Sequence, residues 1–176
     1  GAKPVFVDVG LKDYTIDPEK IEKAITKKTK AIFLVHLLGN PCNMSKIKKI
    51  ANKYNLLIIE DACEAHGAEF KNKKVGSFGN LATFSFFASH HITTMEGGMI
   101  VTNDSQMYEI GKALRTFGWS RVLKNKKLYE RNNPDIDPRY LFVSMGYNLR
   151  PTELQGAFGI HQIKKLDNLV RIRISN

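Results

Sequence analysis

The sequence predicts an α/β fold in three layers, with a mainly parallel sheet between two layers of helices. Short apolar runs rich in β-branched residues alternate with segments of helical periodicity along the 176 residues, an order typical of βαβ units. Most of these runs lack polar alternation, as parallel strands do when helices cover both faces. We therefore expect the strands to be buried.

Five of the apolar runs are predicted as strands, and helices are predicted between them. The strands span Val5–Val9, Ala31–His36, Leu56–Glu60, Ala82–Phe86 and Met99–Thr102. The first helix has Asp17 as its N-cap and Pro18 at its first position, because a short side-chain acceptor and a fixed φ suit those two places. The second helix follows Asn43, a possible cap, and carries apolar residues at three- and four-residue spacing.

Two further helices and a long loop are predicted in the second half of the chain. One helix runs from about Asp104 through Phe117, and Gly118 is placed to end it in the left-handed conformation. The other begins near Pro151 and continues toward the C-terminus. Periodicity fails from 119 to 143, so this stretch is predicted to be irregular, and loops of that length are usually functional or disordered.

The composition narrows the class of protein. Lys and Arg number 27 and Asp and Glu 17, for a formal charge of +10, but the lysines are spread out and no nucleic-acid-binding motif accompanies them. A basic field equally suits a small anionic substrate. No apolar run approaches the roughly 20 residues of a membrane span, and the start lacks the build of a signal peptide. We expect a cytoplasmic protein without nucleic-acid or membrane partners, whose cysteines, Cys42 and Cys63, are reduced.

Polar side chains gather where two of the predicted strands end. Asp61 follows one apolar strand, and Ser85 lies at the end of the next, two residues after Thr83 on the same face. Ligands of open α/β sheets bind at the carboxyl ends of the strands, and a hydroxyl there can bind a phosphate oxygen. Taken alone, Asp61 could equally be a solvated carboxylate or a helix cap.

Histidines near these strand ends have several interpretations. The adjacent His90 and His91 follow Ser85 closely and could act in catalysis, or simply fill the loop. A metal site with Glu96 is a third possibility, although neighbouring histidines point in different directions and no further ligand pattern appears. His66 could form a nucleophile pair with Cys63, but packing is the favoured interpretation.

Six stretches of the chain, in a fixed order, resemble one family. They are AKPVFVDV, IDPEKIEKAIT, KAIFLVHLLGNP, LLIIEDACEAHGA, VGSFGNLATFSFFASHHITTMEGGMIVTND and MGYNLRPTELQGAFG. Together they resemble the DegT/DnrJ/StrS sugar aminotransferase family, a branch of the fold-type-I pyridoxal-phosphate enzymes, over nearly the whole chain. The resemblance implies the large-domain fold of aspartate aminotransferase, pyridoxal 5'-phosphate or pyridoxamine 5'-phosphate as cofactor, a nucleotide-sugar substrate and a homodimer.

The resemblance also implies cofactor contacts for four residues. Asp61 corresponds to the strand-end aspartate that pairs with the pyridine nitrogen and keeps it protonated. Ser85 matches the phosphate-binding serine. Glu64 stands where aminotransferases often have a glutamine near the ring hydroxyl. Asn148 resembles the asparagine that reaches the cofactor phosphate of the neighbouring subunit.

The main departure from the family's pattern is His90. The aminotransferases have a lysine five residues after the serine, whereas this chain has no lysine between Lys74 and Lys112. Without an ε-amine the protein cannot hold its cofactor covalently, so pyridoxamine phosphate is the expected bound form. Histidine can still move protons near neutral pH. The substitution resembles the sugar-nucleotide 3-dehydratases of the family and implies that His90 is catalytic.

The resemblance gives an expected extent and function. Residues 1–176 correspond to the central part of the large domain, and family members add a glycine-rich segment and a stacking aromatic ring before it and a smaller domain after it. The chain is therefore expected to be a fragment, truncated at both ends and inactive alone. We expect a 4-keto-6-deoxysugar 3-dehydratase of deoxysugar or lipopolysaccharide-sugar biosynthesis. An aminotransferase and a non-catalytic binding protein with the same fold are the alternatives.

Overall fold

The computed structural model describes all residues from 1 to 176. Its strands are β1 (Ala31–Val35), β2 (Leu57–Asp61), β3 (Glu69–Phe70), β4 (Lys73–Lys74), β5 (Leu81–Ser85) and β6 (Gly98–Val101). Its α-helices are α1 (Pro18–Ala24), α2 (Met44–Tyr54), α3 (Ser105–Arg115), α4 (Lys126–Asn132), α5 (Glu153–Ile163) and α6 (Leu166–Ser175). The chain forms two compact units, residues 1–101 with 154–176, and residues 102–153.

The first unit is built on a four-stranded sheet in the order β1-β2-β5-β6. The pairs β1–β2 and β2–β5 are parallel, and β6 runs antiparallel to β5 at the edge. The mainly parallel sheet and four of the five predicted strands are thereby confirmed. Strands β3 and β4 form a separate antiparallel hairpin. No helix in the chain combines the length and the apolar character that crossing a membrane requires.

Helices α1 and α2 begin at the predicted caps. The Asp17 carboxylate accepts a hydrogen bond from the Glu19 backbone N–H at 2.9 Å, and Asn43 Oδ1 accepts one from Lys46 N–H at 3.1 Å. Both bonds satisfy donors that a helix start leaves without a partner. The two helices bury apolar side chains against one face of the sheet, in a core of Ile21, Ile32, Leu34, Cys42, Met44, Ile47, Ala51 and Ile58.

Two expectations about the strands are wrong. Residues 5–9 form no strand: Val9 makes only an isolated bridge to Ile16, and Phe6 is 93% exposed. A strand exists only as part of a hydrogen-bonded ladder, and this run has no neighbouring strand to pair with. Burial of both sheet faces is also wrong, because Phe33 is 56% and Ile100 66% exposed on the face that α1 and α2 leave open.

The second unit contains α3 and α4. Helix α3 begins near Asp104 as predicted, and the Asp104 carboxylate caps it by accepting hydrogen bonds from two backbone N–H groups, both at 2.8 Å. The helix ends at Arg115, earlier than predicted, and Phe117 lies beyond it. Gly118 has φ 84° and donates its N–H to Ala113 O at 2.8 Å, so it closes the helix end in the left-handed conformation as expected.

The prediction of an irregular stretch from 119 to 143 is partly wrong. Helix α4 and two 3-10 turns, Ser120–Val122 and Pro138–Tyr140, lie within it. No residue of α4 is buried, so the helix has no apolar stripe that would reveal it in the sequence. The predicted C-terminal helix is also interrupted, because α5 ends at Ile163 and α6 begins at Leu166.

Candidate active site

The carboxyl ends of β2 and β5 bring together two of the predicted site residues. Asp61 is the last residue of β2 and lies opposite Thr83 of the parallel neighbour β5. Ser85 ends β5, two residues beyond Thr83, so these side chains share one face of the sheet. All three are partly buried. This is the sheet edge at which parallel α/β proteins bind ligands.

Both side chains keep hydrogen-bonding capacity for a ligand. Asp61 Oδ1 accepts from the Cys63 backbone N–H at 3.0 Å and from the Thr83 hydroxyl at 3.5 Å. Because both bonds are made to one oxygen, Oδ2 is available to another donor. Ser85 Oγ accepts from the Phe87 backbone N–H at 3.1 Å, which leaves its hydroxyl proton for an acceptor such as a phosphate oxygen.

His90 lies in the loop that connects β5 to β6. Its backbone N–H donates to Phe87 O at 3.0 Å, and its ring packs edge-on against the Phe87 ring with centroids 5.8 Å apart. The His90 side chain is half-buried, and Nδ1 is buried without a hydrogen-bond partner. A partly covered imidazole with an unused nitrogen can exchange a proton with a group placed next to it.

Two other histidines lie close by, His91 in the same loop and His66 between β2 and β3. His66 is 6% exposed and contacts the rings of Phe84, Phe86 and His91, at centroid distances of 5.3, 5.7 and 5.6 Å. Burial, followed by the charges of His91 and His90, lowers the pKa of His66 to about 4. Burial, followed by the charges of Arg173 and His90, also lowers the pKa of His91. Both histidines are therefore held in the uncharged form at neutral pH.

The interpretation of His66 as a packing residue agrees with these aromatic contacts. Its possible partner Cys63 lies with Sγ 3.6 Å from the Thr83 hydroxyl. Burial, and then the hydrogen bond with Asp61, raises the pKa of Cys63. A raised pKa disfavours the thiolate, so the structure gives no support to a Cys63 nucleophile.

Glu64 lies in the turn after β2 and contacts the loop that follows β1. Its Oε2 accepts from the Leu38 backbone N–H at 3.3 Å. Leu38 has φ 51°, in the left-handed region that costs a non-glycine residue about 1–2 kcal/mol. The carboxylate thus helps to hold a strained turn next to the sheet edge.

Glu60 is the residue that the sequence did not single out. It is completely buried and accepts four hydrogen bonds, from His36 Nε2 at 3.0 Å and from the backbone N–H groups of Gly76, Phe78 and Gly79 at 2.8, 2.7 and 2.5 Å. His36 Nδ1 accepts from Cys42 N–H at 3.1 Å, so the His36 proton lies on Nε2. Burial raises the pKa of Glu60, but the bonds from His36 and the three backbone donors outweigh it and lower that pKa overall. An acid that ends an otherwise apolar strand is the signal that could have drawn attention to it.

Asn148 belongs to the second unit and is exposed. It forms an antiparallel bridge with Thr116. Its neighbours bond to the end of α3, with Tyr147 N–H donating to Leu114 O at 2.6 Å and Leu149 N–H to Arg115 O at 3.0 Å. These bonds hold the backbone around Asn148 and leave its amide on the surface of its unit.

The metal-binding alternative finds no support in the arrangement of the side chains. No three His, Cys, Asp or Glu side chains form a group that could hold a metal ion. Glu96 is exposed, and the two cysteines are free thiols.

Fold and site together define a class of protein: an α/β protein whose mainly parallel sheet presents a carboxylate, a hydroxyl and imidazoles at its carboxyl edge. The sequence pattern of the DegT/DnrJ/EryC1/StrS aminotransferase family matches residues 1–176. The chain belongs to that family, and the resemblance described from its motifs is confirmed.

Individual relatives match all or nearly all of the chain. GDP-4-keto-6-deoxy-D-mannose 3-dehydratase of Escherichia coli O55:H7 is 45% identical over 178 residues, which are 100% of this chain and 46% of the relative. GDP-perosamine synthase of Caulobacter vibrioides is 42% identical over 173 residues, 98% of this chain and 43% of the relative. The solved E. coli GDP-4-keto-6-deoxy-D-mannose-3-dehydratase with bound hydrated PLP has a TM-score of 0.88 at 45% identity, covering 97% of this chain and 44% of that one. The chain thus spans less than half the length of these relatives. The TM-score of 0.88 confirms the predicted fold class.

Proposed function

We propose that the whole protein is a nucleotide-sugar 3-dehydratase that uses pyridoxamine phosphate, with His90 in the place of the family's lysine. The observation that carries the proposal is His90 itself, the fifth residue after Ser85 in a stretch without lysine from Lys74 to Lys112. The 45% identity with a protein named GDP-4-keto-6-deoxy-D-mannose 3-dehydratase supports it. A 4-keto-6-deoxysugar linked to a nucleotide is the substrate class that we infer.

The side chains at the sheet edge fit this cofactor chemically. Asp61 offers a carboxylate oxygen to a protonated ring nitrogen, and Ser85 offers a hydroxyl proton to a phosphate. His90 offers an imidazole whose buried Nδ1 has no partner. A carboxylate, a hydroxyl and an imidazole are the three chemical types that the ring nitrogen, phosphate and reacting carbon of the cofactor require.

Asp61, Ser85 and His90 would each have a separate role toward the cofactor. The bound cofactor supplies an amine that can condense with a sugar carbonyl, and a ring that can accept electrons. Asp61 keeps the ring nitrogen protonated through a charge-assisted hydrogen bond, and Ser85 holds the phosphate. His90 would be the base that takes a proton at the methylene carbon of the cofactor, because imidazoles commonly serve as general bases near neutral pH. The hydroxyl at the neighbouring sugar carbon would then leave as water with the proton that His90 carries.

The proposal also includes Glu64, Asn148 and a homodimer. Glu64 would approach the cofactor ring from the turn after β2, where it also contacts the Leu38 backbone. Asn148 would reach the cofactor phosphate of a second subunit, which makes a homodimer part of the proposal. Asn148 is exposed on a segment whose backbone is held by hydrogen bonds, which supports a contact with a second subunit. Assignment of residues 1–176 to the large domain stays a prediction.

The first test asks how the cofactor is held in the full-length protein. The protein is loaded with pyridoxal phosphate, because only this aldehyde form can make an imine with a lysine, and borohydride reduces that imine to a stable amine. With a histidine at position 90 the cofactor should stay dialysable after treatment, whereas His90→Lys should make it non-dialysable and serves as the positive control. A covalent adduct in the unmodified protein would show that another lysine has taken this role and would contradict the dehydratase.

The second test asks whether His90 moves the proton. His90→Asn should lower kcat with GDP-4-keto-6-deoxy-D-mannose by about 10²- to 10⁴-fold, the usual effect of losing a general acid–base group. Cofactor affinity should change little, because Asp61 and Ser85 are retained. Undiminished turnover by His90→Asn would rule out the proposed role.

An aminotransferase is the second candidate, favoured by the 42% identity with GDP-perosamine synthase. The two candidates differ in product, since amino transfer leaves nitrogen on the sugar and dehydration removes a hydroxyl. Mass spectrometry of the product formed with L-glutamate present separates them. An aminated sugar that retains all its hydroxyl groups would replace the dehydratase with the aminotransferase.

A further inference from the structure

The loop that carries His90 connects β5 to β6 and is closed at its base. Phe86 N–H donates to Gly97 O at 2.9 Å, and Phe86 O accepts from Thr94 N–H at 2.9 Å. Two residues near its end adopt positive φ, Met95 at 70° and Gly97 at 152°. A strained residue such as Met95 persists only where its surroundings hold it.

One face of α5 lies along the second half of this loop. Gln155 Nε2 donates to Glu96 O at 2.7 Å, and Gln162 Oε1 accepts from Thr93 N–H at 3.5 Å. Between them a Cβ on Gly159 would lie 3.3 Å from the Thr94 methyl group, so the helix backbone approaches the loop closely there. All of these residues belong to the first unit.

The pattern of exposure in α5 singles out the same three residues. From Glu153 to Ile163, only Gln155, Gly159 and Gln162 are partly covered, and every other residue is exposed. Their spacing of four and three residues places them on one side of a helix. The covered side of α5 is therefore the side that contacts the His90 loop.

We propose that Gln155, Gly159 and Gln162 are positioning residues that set the place of His90, an inference that rests on the proposed role of His90. The braced segment begins at Thr93, three residues after His90. A proton-transfer group must be held close to its productive position, and a displacement of about 1 Å can cost on the order of 10²-fold in rate. One glutamine donates to a backbone carbonyl of the loop and the other accepts from a backbone N–H, so the loop is held at two points.

The first measurement is independent of activity. Gln155→Ala in the cofactor-free full-length protein should raise hydrogen–deuterium exchange in residues 93–97, because the loop loses one of its two anchors. Gly159→Val should also raise exchange in residues 93–97, because the new side chain would press against Thr94 between the two glutamines. His161→Ala is the matched control, since His161 is exposed on the same helix. Unchanged exchange in both Gln155→Ala and Gly159→Val would overturn the inference.

The second measurement is a double-mutant cycle on kcat with pyridoxamine phosphate and GDP-4-keto-6-deoxy-D-mannose. Gln155→Ala should lower kcat by about 10- to 100-fold when His90 is present, but by less than about 2-fold in the His90→Asn background, because residues acting through one group are not additive. Equal losses in both backgrounds would show that Gln155 acts elsewhere and overturn the inference alone. If His90→Asn by itself leaves kcat unchanged, the proposed function fails as well, and the exchange data then describe only a structural contact.

Discussion

Glu60 and Asp61 are neighbours at the end of β2 with the same functional group, yet their surroundings are opposite. Glu60 points to the face that α1 and α2 cover, is fully buried and accepts four hydrogen bonds. Asp61 points to the other face, is partly buried and is bonded through one oxygen only. The first carboxylate has no capacity left for a ligand, whereas the second does. Packing, more than residue type, separates an acid that is fully used in the core from one that can still bind a ligand.

The same contrast extends over the two faces of the sheet. Leu34, Glu60 and Ala82 are in register on the covered face, and each is fully buried. Val35, Asp61 and Thr83 are in register on the other face, and none of them is fully buried. Alternation along the strands therefore sends one set of side chains to the core and the other toward the site.

Removing Glu60 should have the largest effect on stability. Glu60→Ala in the full-length protein should lower the free energy of unfolding by about 3–5 kcal/mol, because it leaves the His36 ring and three backbone N–H groups buried without an acceptor. Urea titration measures the change. Asp61→Ala is the matched control and should cost much less, since it frees one backbone N–H, one hydroxyl and one weakly bonding thiol, which are only partly buried. Equal losses at the two positions would remove the distinction between them.

Lowering the pH should destabilise the fold through His66. Its folded pKa of about 4 lies below the ordinary value of 6.5, so only the unfolded chain takes up this proton as the pH falls from 6.5 to 4. The folded state should therefore lose about 3 kcal/mol from this group across that window. His66→Leu should remove that part of the loss in urea titrations at several pH values. An unchanged pH dependence in the variant would contradict the burial of an uncharged His66.

Glu60 should cause a further loss of stability at more acid pH. Its folded pKa lies below 4.5, so its contribution to stability is complete above that value and is lost as the pH falls through the lower folded pKa. His66 acts at higher pH, which separates the two contributions in one titration series. Glu60→Gln should reduce the acid part and leave the part from His66, while other carboxyl groups with lowered pKa values, such as Glu22, keep their share. An acid part of unchanged size in Glu60→Gln would assign all of it to those other carboxyl groups.

Neutralising Asp61 should change binding and leave stability nearly intact. Asp61→Asn keeps the size of the side chain but loses the charge opposite the ring nitrogen, and a hydrogen bond to a charged group contributes about 1.5–3 kcal/mol. The affinity for pyridoxamine phosphate should therefore fall by roughly 10- to 100-fold in a fluorescence titration. Ser85→Ala offers a comparison at the phosphate end. Unchanged affinity in Asp61→Asn would place the cofactor nitrogen elsewhere.

The elements that the sequence predicted well are those fixed by local interactions. Asp17 and Asn43 cap the helices as predicted, and the third helix begins near Asp104 as predicted, because a capping bond spans only two or three residues. The run from 5 to 9 failed because a strand needs a partner that the local pattern does not contain. Helix α4 was missed because none of its residues is buried.

For the candidate site, the sequence by itself determined which chemical groups are available and where the strands that carry them end. The order of Asp61, Ser85 and His90 along the chain, and the absence of a lysine beside them, are readable without coordinates. Only the tertiary structure decided that Glu60 uses its whole hydrogen-bonding capacity on donors 16 to 24 residues away along the chain. It also decided that Gln155 of α5 contacts the His90 loop at Glu96, 59 residues earlier in the sequence. Such contacts join positions with no local pattern in common, because they depend on which faces and loops the packed sheet brings together.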